Sequence, residues 1–194
     1  MVLLNRIYTR TGDGGTTRLS TGAPVSKAGL RVSAYGNVDE TNACLGLVRL
    51  HTADQPEFDA LLARIQNELF DLGADLATPD RPGGEPLGWE PLRILDGQVE
   101  RLEQEIDRLN GDLQPLTSFV LPAGSPAASF LHLARTVCRR AERQVVALMA
   151  DPDEPVSAAA LKYLNRLSDL LFVAARWANL RAGGDVLWKP GATR

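Results

Sequence analysis

The chain has 194 residues, 44% hydrophobic and 23% charged, with a formal net charge of −3. That is enough chain to bury a sizeable core, and the composition is that of an ordinary globular protein rather than a disordered or fibrous one. Without an excess of Lys and Arg, broad non-specific nucleic-acid binding is excluded. The apolar start of MVLLNRIYTR is too short for a signal peptide and no stretch is long enough to span a bilayer, so a cytoplasmic location is expected.

Residues 1–35 do not read as helix. They are rich in Gly, Thr and Ser, and TGDGG within RIYTRTGDGGTTRLSTGAPVSK is a turn signal. Its glycines let backbone approach a ligand and its threonines add hydroxyls beside the amides, although no Gly-Lys-Ser/Thr follows at the spacing of a Walker A loop. Helix one is expected from about Val38 to Thr52, capped by Asn37 or Asp39, with Asp39 and Glu40 suiting the first-turn dipole. Helix two spans roughly Glu57 to Leu76, with Phe58, Leu61, Leu62, Ile65, Leu69 and Leu72 at helical spacing. Residues 78–91 form a Pro/Gly-rich loop, and helix three follows from about Leu92 to Leu109.

After the apolar entry SFVLPAG, Ser125 caps helix four, Pro126 occupies its first turn, and the helix runs to about Met149. This helix contains ARTVCRRAER. Arg135, Arg139 and Glu142 fall within roughly 60° of one another, with Arg140 and Arg143 nearby. Such a cationic ridge calls for an anion. Helix five is expected from about Val156 to Ala182, ending at Gly183-Gly184. It is apolar nearly all round, which places it at the bundle centre or at a subunit interface. The exception is a stripe of Asn165, Asp169, Phe172 and Arg176, read as an internal network with the arginines of helix four. Cys44 and Cys138 read as buried thiols. His51 and His132 are isolated, no Glu-x-x-His pair is present, and no protein metal site is expected.

Taken in order, YTRTGDGGTT, the lysine of APVSKAGLRVSAYG, YGNVDETNACLG, FVLPAG, ARTVCRRAER and YLNRLSDLLFVAAR resemble the PduO-type ATP:cob(I)alamin adenosyltransferases over nearly the whole chain. The resemblance implies an all-α fold, a five-helix bundle of ferritin-like appearance with an irregular N-terminal nucleotide-binding segment. The division expected is an ATP-binding arm at 1–35, a bundle at 36–182 and a tail at 183–194. A homotrimer with active sites at the subunit interfaces is also implied.

The resemblance assigns ATP to Thr9, Arg10, Thr11, Gly12 and Thr17 of the arm and to Lys27. From the helices it adds Arg139, Arg140, Glu142, Arg143 and Asn165. Arg135 resembles a residue that ion-pairs across the interface with the residue matching Asp39. Phe119 matches an aromatic residue crowding the lower face of the corrin ring, and Arg139 and Phe119 are the implied catalytic pair. The implied reaction transfers the adenosyl group of ATP to cob(I)alamin with Mg²⁺ present. A reductase and an adenosylcobalamin-dependent enzyme are candidate partners; nucleic acid and membrane are not. The lack of a catalytic His or Cys is consistent, because the nucleophile is cobalt. One departure stands out: where the family has Leu-Pro-Gly-Gly, this chain has Leu121-Pro122-Ala123-Gly124. A positive φ at Ala123 would strain it. The alternatives are a non-catalytic ATP-binding regulatory bundle and a purely structural helical oligomer.

Overall fold

The computed structural model describes residues 7–80 and 86–194. Part of the expected 78–91 loop therefore lies outside the described residues. A two-stranded antiparallel hairpin, β1 (Thr16–Arg18) and β2 (Pro24–Ser26), pairs Thr17 with Val25. Five helices follow: α1 (Leu30–Arg49), α2 (Pro56–Leu76), α3 (Asp96–Asn110), α4 (Pro126–Met149) and α5 (Ala158–Asn179), with a 3-10 turn at Leu180–Ala182.

The local signals explain most boundaries. Pro56 opens α2, where a missing N–H costs nothing, and Glu57 and Asp59 lie in its first turn. The Ser125 hydroxyl accepts from the Ala128 amide at 3.2 Å, and the Ser157 hydroxyl accepts from the Ala160 amide at 3.2 Å. Gly183, at φ 93°, turns the chain out of the last helix. α3 begins at Asp96 instead of Leu92, because the Gln98 side chain accepts from the Leu95 amide and fixes the entry there. α5 begins at Ala158, two residues after the expected Val156, and tightens into the 3-10 turn over its last residues.

The largest departure is α1, which begins at Leu30 instead of Val38. The arm thus gives way to helix inside the expected 1–35 segment, and neither Asn37 nor Asp39 is a cap. The added two turns are held by Arg31, which is only 4% exposed. Its guanidinium donates to Glu154 at 2.7 Å, to the Leu76 carbonyl at 2.7 Å and to the Pro155 carbonyl at 3.0 Å. A buried arginine tolerates this position because its donors are paired. Arg31→Ala is expected to cost about 2–4 kcal/mol by stranding those acceptors. A urea midpoint that falls with an unchanged slope would confirm it, and an unshifted midpoint would refute it.

α5 occupies the bundle centre. Leu164, Leu167, Leu170, Leu171, Ala174 and Ala175 are all buried, and α5 packs on α4, α3 and α2. α1 packs on both α2 and α4. The hairpin hangs on the end of α2: Leu19 is buried, the Ser20 amide donates to the Ala77 carbonyl at 3.1 Å, and the Ser20 hydroxyl donates to the same carbonyl at 2.7 Å. Residues after Gly183 are also held. The Leu121 amide donates to the Val186 carbonyl at 2.8 Å, the Trp188 amide donates to the Phe119 carbonyl at 2.8 Å, and Val120 bridges Leu187.

Candidate active site

The N-terminal arm encloses an open cavity of about 570 Å³ lined by Thr9, Arg10, Thr11, Gly12, Thr17 and Lys27, all of them expected. Tyr8, Asp13, Thr16, Arg18 and Pro24 complete it. The Lys27 ammonium donates to the Gly12 carbonyl at 2.8 Å. A Cβ on Gly12 would stand 3.0 Å from that ammonium nitrogen and 3.1 Å from the Thr16 carbonyl oxygen, so glycine permits the close approach. Arg10 has φ 63°, an unusual conformation for a residue with a side chain, and its guanidinium lies 5.6 Å from the Tyr8 ring centroid. Strain of this kind concentrates at binding sites. Arg18 is a third cation of this cavity, after Arg10 and Lys27, and one that motif reading passed over. Its guanidinium donates to the Gly22 carbonyl across the hairpin at 2.8 Å.

The ridge lies on α4. Arg139 and Arg143 are exposed, and among the described residues the Arg139 guanidinium makes no ion pair. The Arg143 guanidinium donates to the Arg139 carbonyl at 3.0 Å. Arg135 is half-buried: its Nε has no partner among the described residues, and its guanidinium lies 6.0 Å from the Phe172 ring centroid. Burial, and then the charge of Arg139, pull the Arg135 pKa down. Unneutralised cations are what a polyanion site requires. Arg140 points elsewhere. It donates to the Asn37 side chain at 2.6 Å and pairs with Glu40, joining α4 to α1 within the chain.

The stripe on α5 only partly meets α4. Asn165 donates to Glu142 at 2.8 Å and accepts from Arg166 at 2.7 Å, so its amide is fixed in orientation beside the ridge. Phe172 lies beneath Arg135. Arg176, expected in the same network, instead donates to Asp185 at 2.8 Å and to the Gln114 carbonyl at 2.8 Å, holding the segment beyond α5. Asp169 is exposed.

Beside the ridge, Leu116, Ser118, Phe119, Val120, Arg135 and Phe172 line a second open cavity of about 460 Å³. Phe119 is 76% exposed, with its ring 5.9 Å from that of Trp188. Ala123 does not have positive φ; Gly124 does, at 113°. The substitution at position 123 is therefore unstrained. His132, behind Phe172, is 1% exposed with neither ring nitrogen partnered among the described residues, and burial lowers its pKa, keeping it neutral. Burial pushes the Cys44 and Cys138 thiols up, leaving no activated nucleophile there. Among the described residues no group of His, Cys, Asp and Glu could hold a metal ion, and no helix is long and apolar enough to cross a membrane.

Within the single chain these parts do not close into one site. The arm cavity takes no residue from α4 or α5, and Asp39 is exposed on the rim of a groove formed by α1 and α2, with no ion pair to Arg135. The class defined by this geometry is a helical bundle with a hydroxyl- and cation-lined arm, an exposed arginine ridge and an aromatic cavity adjoining it.

Residues 7–178 match the family model described as cobalamin adenosyltransferase, and the chain belongs to that family. It is 50% identical over 189 residues to a corrinoid adenosyltransferase of Mycobacterium leprae, covering 97% of each chain. A corrinoid adenosyltransferase of Bacillus subtilis is 44% identical over 191 residues, covering 96% of this chain and 94% of the relative. A solved variant of a PduO-type ATP:corrinoid adenosyltransferase from Lactobacillus reuteri, complexed with cobalamin and ATP, has a TM-score of 0.84 at 38% identity. The match covers 95% of this chain and 99% of that one.

Proposed function

We propose that this protein transfers the 5′-adenosyl group of ATP to the cobalt of a reduced corrinoid, releasing triphosphate. One observation carries the reading. Arg135 lines the Phe119 cavity, and Arg139 and Arg143 follow one and two turns along the same helix, about 6 and 12 Å away in rise. A corrin ring over Phe119 would then lie beside a triphosphate on the ridge, with the ribose carbon between them.

In this reaction the cobalt(I) electron pair attacks C5′. The cobalt–carbon bond forms as the C5′–oxygen bond breaks, and that oxygen leaves with the pair on triphosphate. Negative charge grows on the leaving oxygen, and fixed cations aimed there stabilise the transition state more than the ground state. Arg139, Arg143 and Lys27 supply them, and guanidinium forks suit phosphate oxygens. Glu142 accepts from Asn165 and so holds that amide beside the ridge. No proton moves, so the neutral buried His132 and the high-pKa cysteines are not required.

Mg²⁺ keeps most of its waters and takes few protein ligands, so it needs no acidic cluster of its own. When bound with ATP it would supply further charge neutralisation to the phosphates, with Glu142 the carboxylate on the ridge available to it. With a corrinoid in the cavity that it lines, Phe119 would crowd the lower face of the ring and so favour the reduced state of the substrate.

The arm and the ridge meet only between copies in a head-to-tail trimer, Asp39 of one copy pairing with Arg135 of the next. The Asp39 groove supports this reading. It is lined by Tyr35, Leu69, Phe70 and Ala74, and Phe70 is 72% exposed. With Asp39 in mid-helix, a dipole role at a helix start no longer accounts for it. Asp39→Ala is expected to weaken assembly and, with it, activity. Sedimentation of an intact trimer with full turnover would show that Asp39 is only a surface residue.

The direct test of the activity is an anaerobic assay with ATP, Mg²⁺ and cob(I)alamin, following the cobalt–carbon product by absorption and the triphosphate released. Stoichiometric formation of both is expected. ATP binding without product would identify a non-catalytic nucleotide-binding bundle instead.

A further inference from the structure

The loop that carries Phe119 is fastened at a point no motif marks. Asn179, the last residue of α5, is 0% exposed. Asparagine is a poor helix former, and a buried amide is unfavourable unless every polar atom is used. Here both are used on one target. Its Oδ1 accepts from the Ser125 amide at 2.9 Å, and its Nδ2 donates to the Ala123 carbonyl at 3.1 Å. The two bonds bracket Gly124, whose φ of 113° favours glycine. A Cβ on Gly124 would stand 2.1 Å from Asn179 Oδ1 and 2.6 Å from its Cγ, so the loop backbone lies directly on the amide.

The same residue also fastens the other strap on Phe119. The Asn179 carbonyl accepts from the Gly184 amide at 2.8 Å, which sets the turn leading into residues 186–188. That segment bonds to Leu121 and Phe119 through the backbone, and the Trp188 carbonyl accepts from the Ser118 hydroxyl at 2.7 Å. Ser125 is in turn the cap of α4. One buried asparagine thus ties the start of the ridge helix, the exit of the Phe119 loop and the segment paired with that loop.

We infer that Asn179 is a positioning residue for corrinoid activation: the Asn179–Gly124 contact sets the depth at which Phe119 stands in its cavity, and hence how completely the lower ligand of cobalt is excluded. The inference rests on the role proposed above for Phe119. The ATP-binding arm hangs on the end of α2 and makes none of these contacts. Arg139 and Arg143, the ridge residues proposed to hold the triphosphate, lie 14 and 18 residues beyond the Ser125 cap, about 21 and 27 Å away in rise, so disturbing the clamp acts chiefly on the corrinoid.

The test uses the full-length protein with ATP and cob(II)alamin, reading the absorption and paramagnetic-resonance signature of four-coordinate cobalt(II), with steady-state constants for both substrates. Asn179→Ala removes both side-chain bonds. Asn179→Asp keeps the acceptor for Ser125 and loses the donor to Ala123. Gly124→Ala presses on the clamp from the other side. For all three, the four-coordinate fraction is expected to fall, and kcat/KM for the corrinoid to drop on the order of 10- to 100-fold, the scale of an ångström misplacement. KM for ATP should stay within about twofold. Gly124→Ala should also cost less in the Asn179→Ala background than alone, since the clashing amide is gone.

Phe119→Ala is measured alongside. If it loses the signature while the Asn179 and Gly124 variants keep it, the inference is overturned and the Phe119 role stands. If Phe119→Ala itself keeps the wild-type signature, that role fails and the inference with it. Should Asn179→Ala not fold, the isosteric Asn179→Asp and Gly124→Ala decide the matter.

Discussion

Arg139→Ala is expected to lower adenosyl transfer by about 10²–10³-fold, the range for removing one preorganised charge donor from a developing anion. The protein should remain folded, because the Arg139 side chain is exposed and has no ion pair among the described residues. Under the proposed function that charge is free to meet the leaving triphosphate. Its charge already acts on Arg135, whose pKa it helps to lower, so an anion bound there relieves repulsion as well as gaining attraction. Single-turnover rates with saturating ATP check the prediction. Turnover near wild type would remove Arg139 from the leaving-group site and return the ridge to a surface feature.

Phe119→Ala should have the second-largest effect, and of a different kind. A 76%-exposed phenylalanine held by two backbone straps is not a core side chain, and it suits the corrinoid-facing role proposed for it. Losing it should spare ATP affinity, measured by calorimetry, while abolishing the four-coordinate cobalt(II) signature and slowing product formation by on the order of 100-fold. An unchanged spectrum together with unchanged turnover would show that the ring serves only to pack on Trp188.

The parts of this arrangement that were legible in the sequence are those specified locally. α4 was readable to the residue, because Ser125, Pro126 and an uninterrupted apolar stripe lie next to one another in the chain. The turn at TGDGG could be read from its glycines, but the end of the arm could not, since α1 begins at Leu30. What could not be read depends on partners distant in sequence. Arg31 looks like a surface residue until Leu76, Glu154 and Pro155 are seen to surround it, so the first two turns of α1 were hidden. Arg140 lies in the same motif as Arg139, yet 100° of helix rotation carries it to Asn37 and Glu40 on the neighbouring helix. Ala123 drew attention as a departure from a glycine pair, whereas the structure places the conformational demand on Gly124 and its cause on Asn179, 55 residues later in the chain.

The central claim is that ATP is held jointly by the arm of one copy and the ridge of the next. Subunits carrying Lys27→Ala have a damaged arm and an intact ridge; those carrying Arg139→Ala have the reverse. Each homotrimer should be nearly inactive. Mixed trimers formed by co-refolding should regain roughly a quarter of wild-type activity, because one junction in four then pairs an intact arm with an intact ridge across a head-to-tail interface. Mixed trimers that form but turn over no faster than the separate variants would contradict the account.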